Sequence, residues 1–96
     1  MARVSDEYQV NVGRRGITDG LIIEIARQLE KRRAVSVKLL KSYADELDRN
    51  AIDECFETIE QLAQAIVHGT VTSDKRRGFT KTYRFTPRAE RTAPVD

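Results

Sequence analysis

The chain of 96 residues has no tryptophan, one cysteine (Cys55), one histidine (His68) and two prolines, both within its last ten positions. A lone cysteine cannot close an intrachain disulfide, and with a single histidine it makes no zinc ligand set, which excludes small disulfide and zinc scaffolds. No stretch approaches the roughly 20 apolar residues that span a bilayer. The opening MARVSDEYQ lacks the apolar middle of a signal peptide. These absences predict a soluble, cytoplasmic protein with no membrane partner. Catalytic equipment is equally sparse. There is no Walker-type loop, metal spacing or pair of catalytic carboxylates, and no cofactor motif. Cys55 falls on an apolar helical stripe and His68 at a helix end, where both have structural explanations. The sequence gives no catalytic residue and no metal site, and a small enzyme is the weakest of the functional readings.

What is present is charge, and it is segregated. The net charge is +2, yet residues 1–45 carry nine Lys/Arg against six Asp/Glu, residues 46–69 carry one against six, and residues 70–96 carry seven against three. If folding collects the two basic flanks on one side, that side presents a positive field larger than the net charge suggests.

Periodicity organises the chain. Tyr8, Val10 and Val12 alternate with polar residues, as in a half-buried strand ended by Gly13. Thr18 is placed to cap a helix, with Asp19 in its first turn and Ile17 able to staple against Ile22. Leu21, Ile22, Ile25, Ala26 and Leu29 recur on one face up to about Arg33. Val35, Val37 and Leu39 mark a second strand running to about Lys41. A polar linker, SYADELDRN, follows and ends in Asn50, the expected cap of a second helix. Ile52, Cys55, Phe56, Ile59, Leu62, Ala63, Ile66 and Val67 form its stripe, and Gly69 is expected to end it. Asp53, Glu54, Glu57 and Glu60 make its outer face acidic. A hairpin closes the domain, with strands at Thr70–Thr72 and Phe79–Phe85 around the loop SDKRRG. The fold expected is a two-layer α/β sandwich, β-α-β-α-β-β, with a four-stranded mixed sheet and both helices on one face. One domain of residues 1–86 with a disordered tail, 87–96, fits the length and the tail composition, and a monomer is the expected state.

The loop VGRRGIT carries the sharpest signal. N–H groups at a helix entrance lack intrahelical partners, the helix dipole adds positive charge, and Gly13 and Gly16 admit a phosphate without a Cβ in the way. Arg14 and Arg15 add forked donors suited to phosphate oxygens, and Thr18 stands at the helix entrance. Further cations are available at Lys31, Arg32 and Arg33 where the first helix ends, and at Lys75, Arg76 and Arg77 in the hairpin loop. On the strands, Lys38, Lys81 and Arg84 are candidates to face outward from the sheet. Tyr83 is either a core aromatic or a surface on which a base stacks.

The stretch VGRRGITDGLIIEIARQLEKRRAVSVKLL resembles the signature of the CRM domain family, the chloroplast RNA splicing and ribosome maturation module. The residues that carry the resemblance are Gly13, Gly16, Ile17, Thr18, Glu24, Ile25, Leu29, Val35, Val37, Lys38 and Leu39, and RRGFTKTYR is similar to the family's closing strand through Gly78, Tyr83 and Arg84. The resemblance implies RNA binding through the glycine-x-x-glycine loop and a fold similar to the carboxy-terminal domain of translation initiation factor three. It also implies ribosomal or precursor RNA as partner, as for archaeal-type stand-alone members. Bacterial members begin with a further helix, for which residues 1–7 are too few. Two other readings compete. One is a chromatin protein of the Alba type, against which the Gly16, Thr18, Glu24, Ile25 set argues. The other is a protein-binding adaptor that uses the acidic second helix.

Overall fold

The alternating strands bury one face each, and that single fact sets the architecture. A computed structural model describes residues 8–88; the expectations for residues 1–7 and for 89–96 of the tail lie outside them. The elements are β1 (Tyr8–Val12), α1 (Asp19–Arg32), β2 (Ala34–Leu39), α2 (Lys41–Ala44), α3 (Arg49–Ile66), β3 (Gly69–Ser73) and β4 (Thr80–Pro87). The sheet runs β1-β2-β4-β3, with β1 parallel to β2 and the other neighbours antiparallel. Register places Val10 opposite Val37 and Val12 opposite Leu39, then Val35 opposite Tyr83 and Val71 opposite Phe85. All eight are buried. They make one continuous apolar sheet face, on which Ile22, Ile25 and Leu29 of α1 and Ile52, Phe56 and Ile59 of α3 pack. Each such fully buried side chain contributes about 1.5–3 kcal/mol. Both long helices therefore lie on one face, as expected, and the opposite face is left polar.

The helix ends show how local chemistry sets boundaries. Thr18 caps α1 as the sequence suggests: its backbone is extended and its Oγ1 accepts from Leu21 N at 3.1 Å. The cap of α3 is Asp48 and not Asn50, with Oδ1 accepting from Ala51 N at 2.8 Å. Leu47, half-buried against the core, and Ile52 then occupy the two staple positions around Asp48. The polar linker opens on α2, because Leu40, Tyr43, Ala44 and Leu47 recur at helical spacing and all pack inward to some degree. β2 stops at Leu39 accordingly. Arg33 closes α1 in the left-handed region at φ 72, a position that usually takes glycine.

Three expectations for the second half need correction. Leu62 and Ile66 belong to the apolar stripe of α3 but remain 44% and 45% exposed, because the stripe is wider than the face the sheet covers. β4 runs through Pro87, which pairs with Gly69. Gly69 does not end α3, which closes at Val67; it lies in β3, where a Cβ would stand 2.2 Å from the carbonyl oxygen of Thr86 and 2.7 Å from the Phe85 ring. Close approach of β3 to β4 is what demands glycine there. Gly69→Ala is expected to lower stability in chemical denaturation by about 2–3 kcal/mol. Gly20→Ala, whose Cβ meets nothing nearer than 4.0 Å, should be neutral or stabilising. Equal effects from the two substitutions would contradict this account of β3.

Candidate nucleic-acid interface

β1 ends at Val12 and α1 begins at Asp19, so the connecting turn sits at the end of the sheet where the positive pole of α1 emerges. Gly16 N donates to Gly13 O at 2.9 Å, closing a four-residue turn with Arg14 and Arg15 at its centre. Gly16 takes φ 72. A Cβ on it would lie 3.0 Å from Cε1 of Tyr43, so both backbone conformation and space select glycine. The brace behind the turn is α2: Leu40 N donates to Val12 O at 2.8 Å, and the Tyr43 hydroxyl hydrogen-bonds with Cys55 Sγ at 3.2 Å. That bond and partial burial push the Tyr43 hydroxyl up to about 12. Tyr43 as a support is not legible from the sequence, because its contacts are with residues 27 positions upstream and 12 downstream.

The turn, Asn11, Thr18, Gly20 and Leu21 line a cleft of about 420 Å³. Asp19 and Gly20 open α1, where N–H groups have no intrahelical acceptor. Gly20 adds a third residue without a side chain to the cleft wall. Asn11 and Gly20 were missed in the sequence because neither carries charge. Asp19, the one carboxylate of the first turn, lines a separate groove with Ile22 and Leu62 on the helix side.

The other candidate cations divide by their partners. Arg14 and Arg15 are exposed, and neither side chain makes a hydrogen bond or ion pair among the described residues. The same holds for the side chains of Lys31, Lys38, Lys75 and Arg77. Arg32, by contrast, donates to Gln28 Oε1 at 2.8 Å and lies 5.1 Å from the centre of the Tyr8 ring. Arg33 donates to the Glu30 carbonyl and covers Phe85 at 5.8 Å. Arg76 joins Asp53 Oδ1 of α3 to the carbonyl of Gly78, both at 2.6 Å. Arg84 faces outward as expected but pairs with Asp74 at 2.9 Å, which holds that carboxyl below its ordinary value. Lys81 does not face outward. It shares the parity of Tyr83 and Phe85 and lies on the helix side near Asp53, Glu57 and Glu60. Tyr83 is no stacking surface either: it is 1% exposed, and its hydroxyl donates to Phe56 O at 2.7 Å, with burial raising its pKa.

Position along the strands separates the candidates further. α1 has 14 residues, so Lys31, Arg32 and Arg33 stand about 20 Å from the turn, at the opposite end of the sheet. Lys38, near the end of β2, and the loop between β3 and β4 lie at the same end as the turn. Glu24 is a positioning group rather than a contact. It accepts from Tyr8 of β1 and from Arg27 and Gln28 of α1, and Arg27 chiefly holds its carboxyl below the ordinary value. Among the described residues no group of three His, Cys, Asp or Glu side chains could hold a metal ion.

A glycine-braced cationic turn opening a helix, on a four-stranded mixed sheet, meets an independent comparison at this point. The family model of the CRS1/YhbY (CRM) domain matches residues 4–73. The chain belongs to the CRM domain family. The match begins ahead of β1, at residue 4, and ends with β3, before the basic hairpin loop. The family is one of RNA-binding domains, not typically catalytic, so membership supports a non-catalytic RNA-binding role. No curated protein matches the chain.

Because Tyr43 backs the turn of this CRM domain, Tyr43→Ala should speed amide hydrogen exchange at Gly16 by about tenfold or more, the equivalent of about 1.4 kcal/mol of local opening. Tyr43→Phe keeps the ring and loses only the Cys55 hydrogen bond, so exchange at Gly16 should stay near wild type. Unchanged exchange in Tyr43→Ala would show that α2 does not hold the turn.

Proposed function

We propose that the protein binds structured RNA, ribosomal or precursor RNA in particular, without catalysing a reaction, and that it acts as a monomer in the cytoplasm. The cleft formed by Gly13–Gly16 and the start of α1 receives a backbone phosphate. Arg14 and Arg15 donate to its oxygens, and the amides of the first helical turn complete the site. Lys38, Lys75 and Arg77 extend the contact across the same end of the sheet, while Lys31 is a more distant contributor to the field. Arg32, Arg33, Arg76 and Arg84 act indirectly, since each is engaged within the molecule.

The observation that carries this reading is the contrast between paired and unpaired arginines. Arg14 and Arg15 stand exposed on a rigid turn with no partner among the described residues, in a protein where other arginines have found one. The ribosomal target rests on the family resemblance. The acidic flank of α3 favours an adaptor less, because Asp53 is held by Arg76 and Glu60 accepts from Ser73 at 2.9 Å.

If about four to six phosphates are neutralised, log affinity against log salt should slope near −3 to −5. Arg14→Ala with Arg15→Ala should reduce affinity for a structured ribosomal RNA fragment by roughly tenfold or more and flatten that slope by about 1.5. Stability should change by no more than about 0.5 kcal/mol. Equal affinity and slope for the double variant and the wild type would remove the turn from the interface.

A further inference from the structure

The β3–β4 loop ends in a tight reversal whose tip is an aromatic ring. Arg77 N donates to Thr80 O at 2.8 Å and Thr80 N returns to Arg77 O at 3.0 Å, leaving Gly78 and Phe79 as a two-residue turn. Gly78, at φ 63, fills the first central position, as in the primed turns that suit antiparallel hairpins. The tip is rigid. Leu39 N of β2 donates to Phe79 O at 2.9 Å, and Arg76 anchors the Gly78 carbonyl to α3 through Asp53.

On this fixed tip Phe79 is 45% exposed, where turn chemistry favours small polar residues. The other large exposed apolar residues, Ile23, Leu62 and Ile66, group on the helix layer and line a groove there; Phe79 stands apart from them. Apart from its two chain neighbours, nothing lies within 4 Å of the point where a Cβ on Gly78 would be, so the tip of the turn opens to solvent. The surroundings are cationic. Lys75 and Arg77 are exposed and without ion pairs among the described residues, and Lys38 pairs in register with Thr80 next to the tip. The nearby carboxylates Asp74 and Asp53 are taken by Arg84 and Arg76. An exposed ring flanked by free cations is the arrangement that stacks a base while phosphates on either side are neutralised.

We infer that Phe79 stacks on an unpaired nucleobase, so that the protein selects structured RNA carrying an unpaired nucleotide close to a helical segment. The inference rests on the RNA-binding reading and adds to it a second contact, about 10 Å from the arginine turn across the two strand spacings from β1 to β4. The phosphate cleft at Gly13–Gly16 positions the backbone and the hairpin tip tests for a base free to leave its stack. A base paired within a helix cannot offer its face to the ring.

The test uses two RNA stems that differ by a single bulged adenosine, together with a third in which 2-aminopurine replaces that adenosine. Wild-type protein should bind the bulged stem more tightly and quench the 2-aminopurine. Phe79→Ala should lose roughly five- to hundredfold on the bulged stem only and abolish quenching. Phe79→Trp, which keeps a stacking face, should retain both properties. Quenching by the wild-type protein needs no variant, so the test survives any folding defect in Phe79→Ala. If the wild type leaves 2-aminopurine unquenched and binds both stems equally, while Arg14→Ala with Arg15→Ala weakens both, the inference is overturned and RNA binding through the turn stands. If the wild type binds neither stem, the RNA-binding reading falls with it.

Discussion

The ring of Tyr43 lies against Gly16 so closely that no Cβ fits comfortably between them, and the left-handed backbone of Gly16 lets the turn reverse at that point. This contact depends on α2, which depends in turn on Leu40 bonding to the end of β1 and on Tyr43 reaching Cys55 of α3. A mobile loop with two arginines would offer charge but would lose conformational entropy on every phosphate contact. A turn already held by the core offers the same donors with less to lose. The rest of the structure serves this arrangement: the sheet fixes where β1 stops, and the Thr18 cap fixes where α1 starts.

Charge is distributed by the same logic. The arginines nearest to carboxylates are used internally, with Arg76 fastening the hairpin loop to α3 and Arg84 neutralising Asp74. Arg32 and Arg33 spread over aromatic rings at the far end of the sheet. What remains unpaired at the turn end includes Arg14, Arg15, Lys38, Lys75 and Arg77, with no ion pair to any of them among the described residues. A net charge of +2 thus conceals one end of the molecule where positive charge faces outward. On α3, Asp53 is held by Arg76 and Glu60 accepts from Ser73.

Much of this was legible in the sequence, and most of what was not depends on contacts distant in the chain. Alternating Val10 and Val12, Val35 and Val37, and the Thr18 cap are local signals, and the structure places them as read. The two arginines between glycines also declared themselves, because a turn has no conformational need of them. What was hidden depends on residues distant in the chain. Asp53 meets Arg76 only once α3 lies over the hairpin, and Gly69 owes its place to the backbone of β4. Lys81, a candidate for the outer face in the sequence, sits on the inner one with Tyr83 and Phe85, whose parity it shares. The short helix α2 escaped notice because four inward residues are spread among polar ones over barely two turns. Asp48 and Asn50 compete as caps on equal local terms, and the packing of Leu47 decides for Asp48.

The central claim is that a braced cationic turn at the start of α1 contacts RNA. Residue-resolved amide chemical-shift changes on titration with a structured ribosomal RNA fragment test it most directly. The account predicts the largest changes at residues 13–20, a second set at 75–80, and little change along the outer face of α3. Changes confined to residues 53–64, with the turn unaffected, would contradict it.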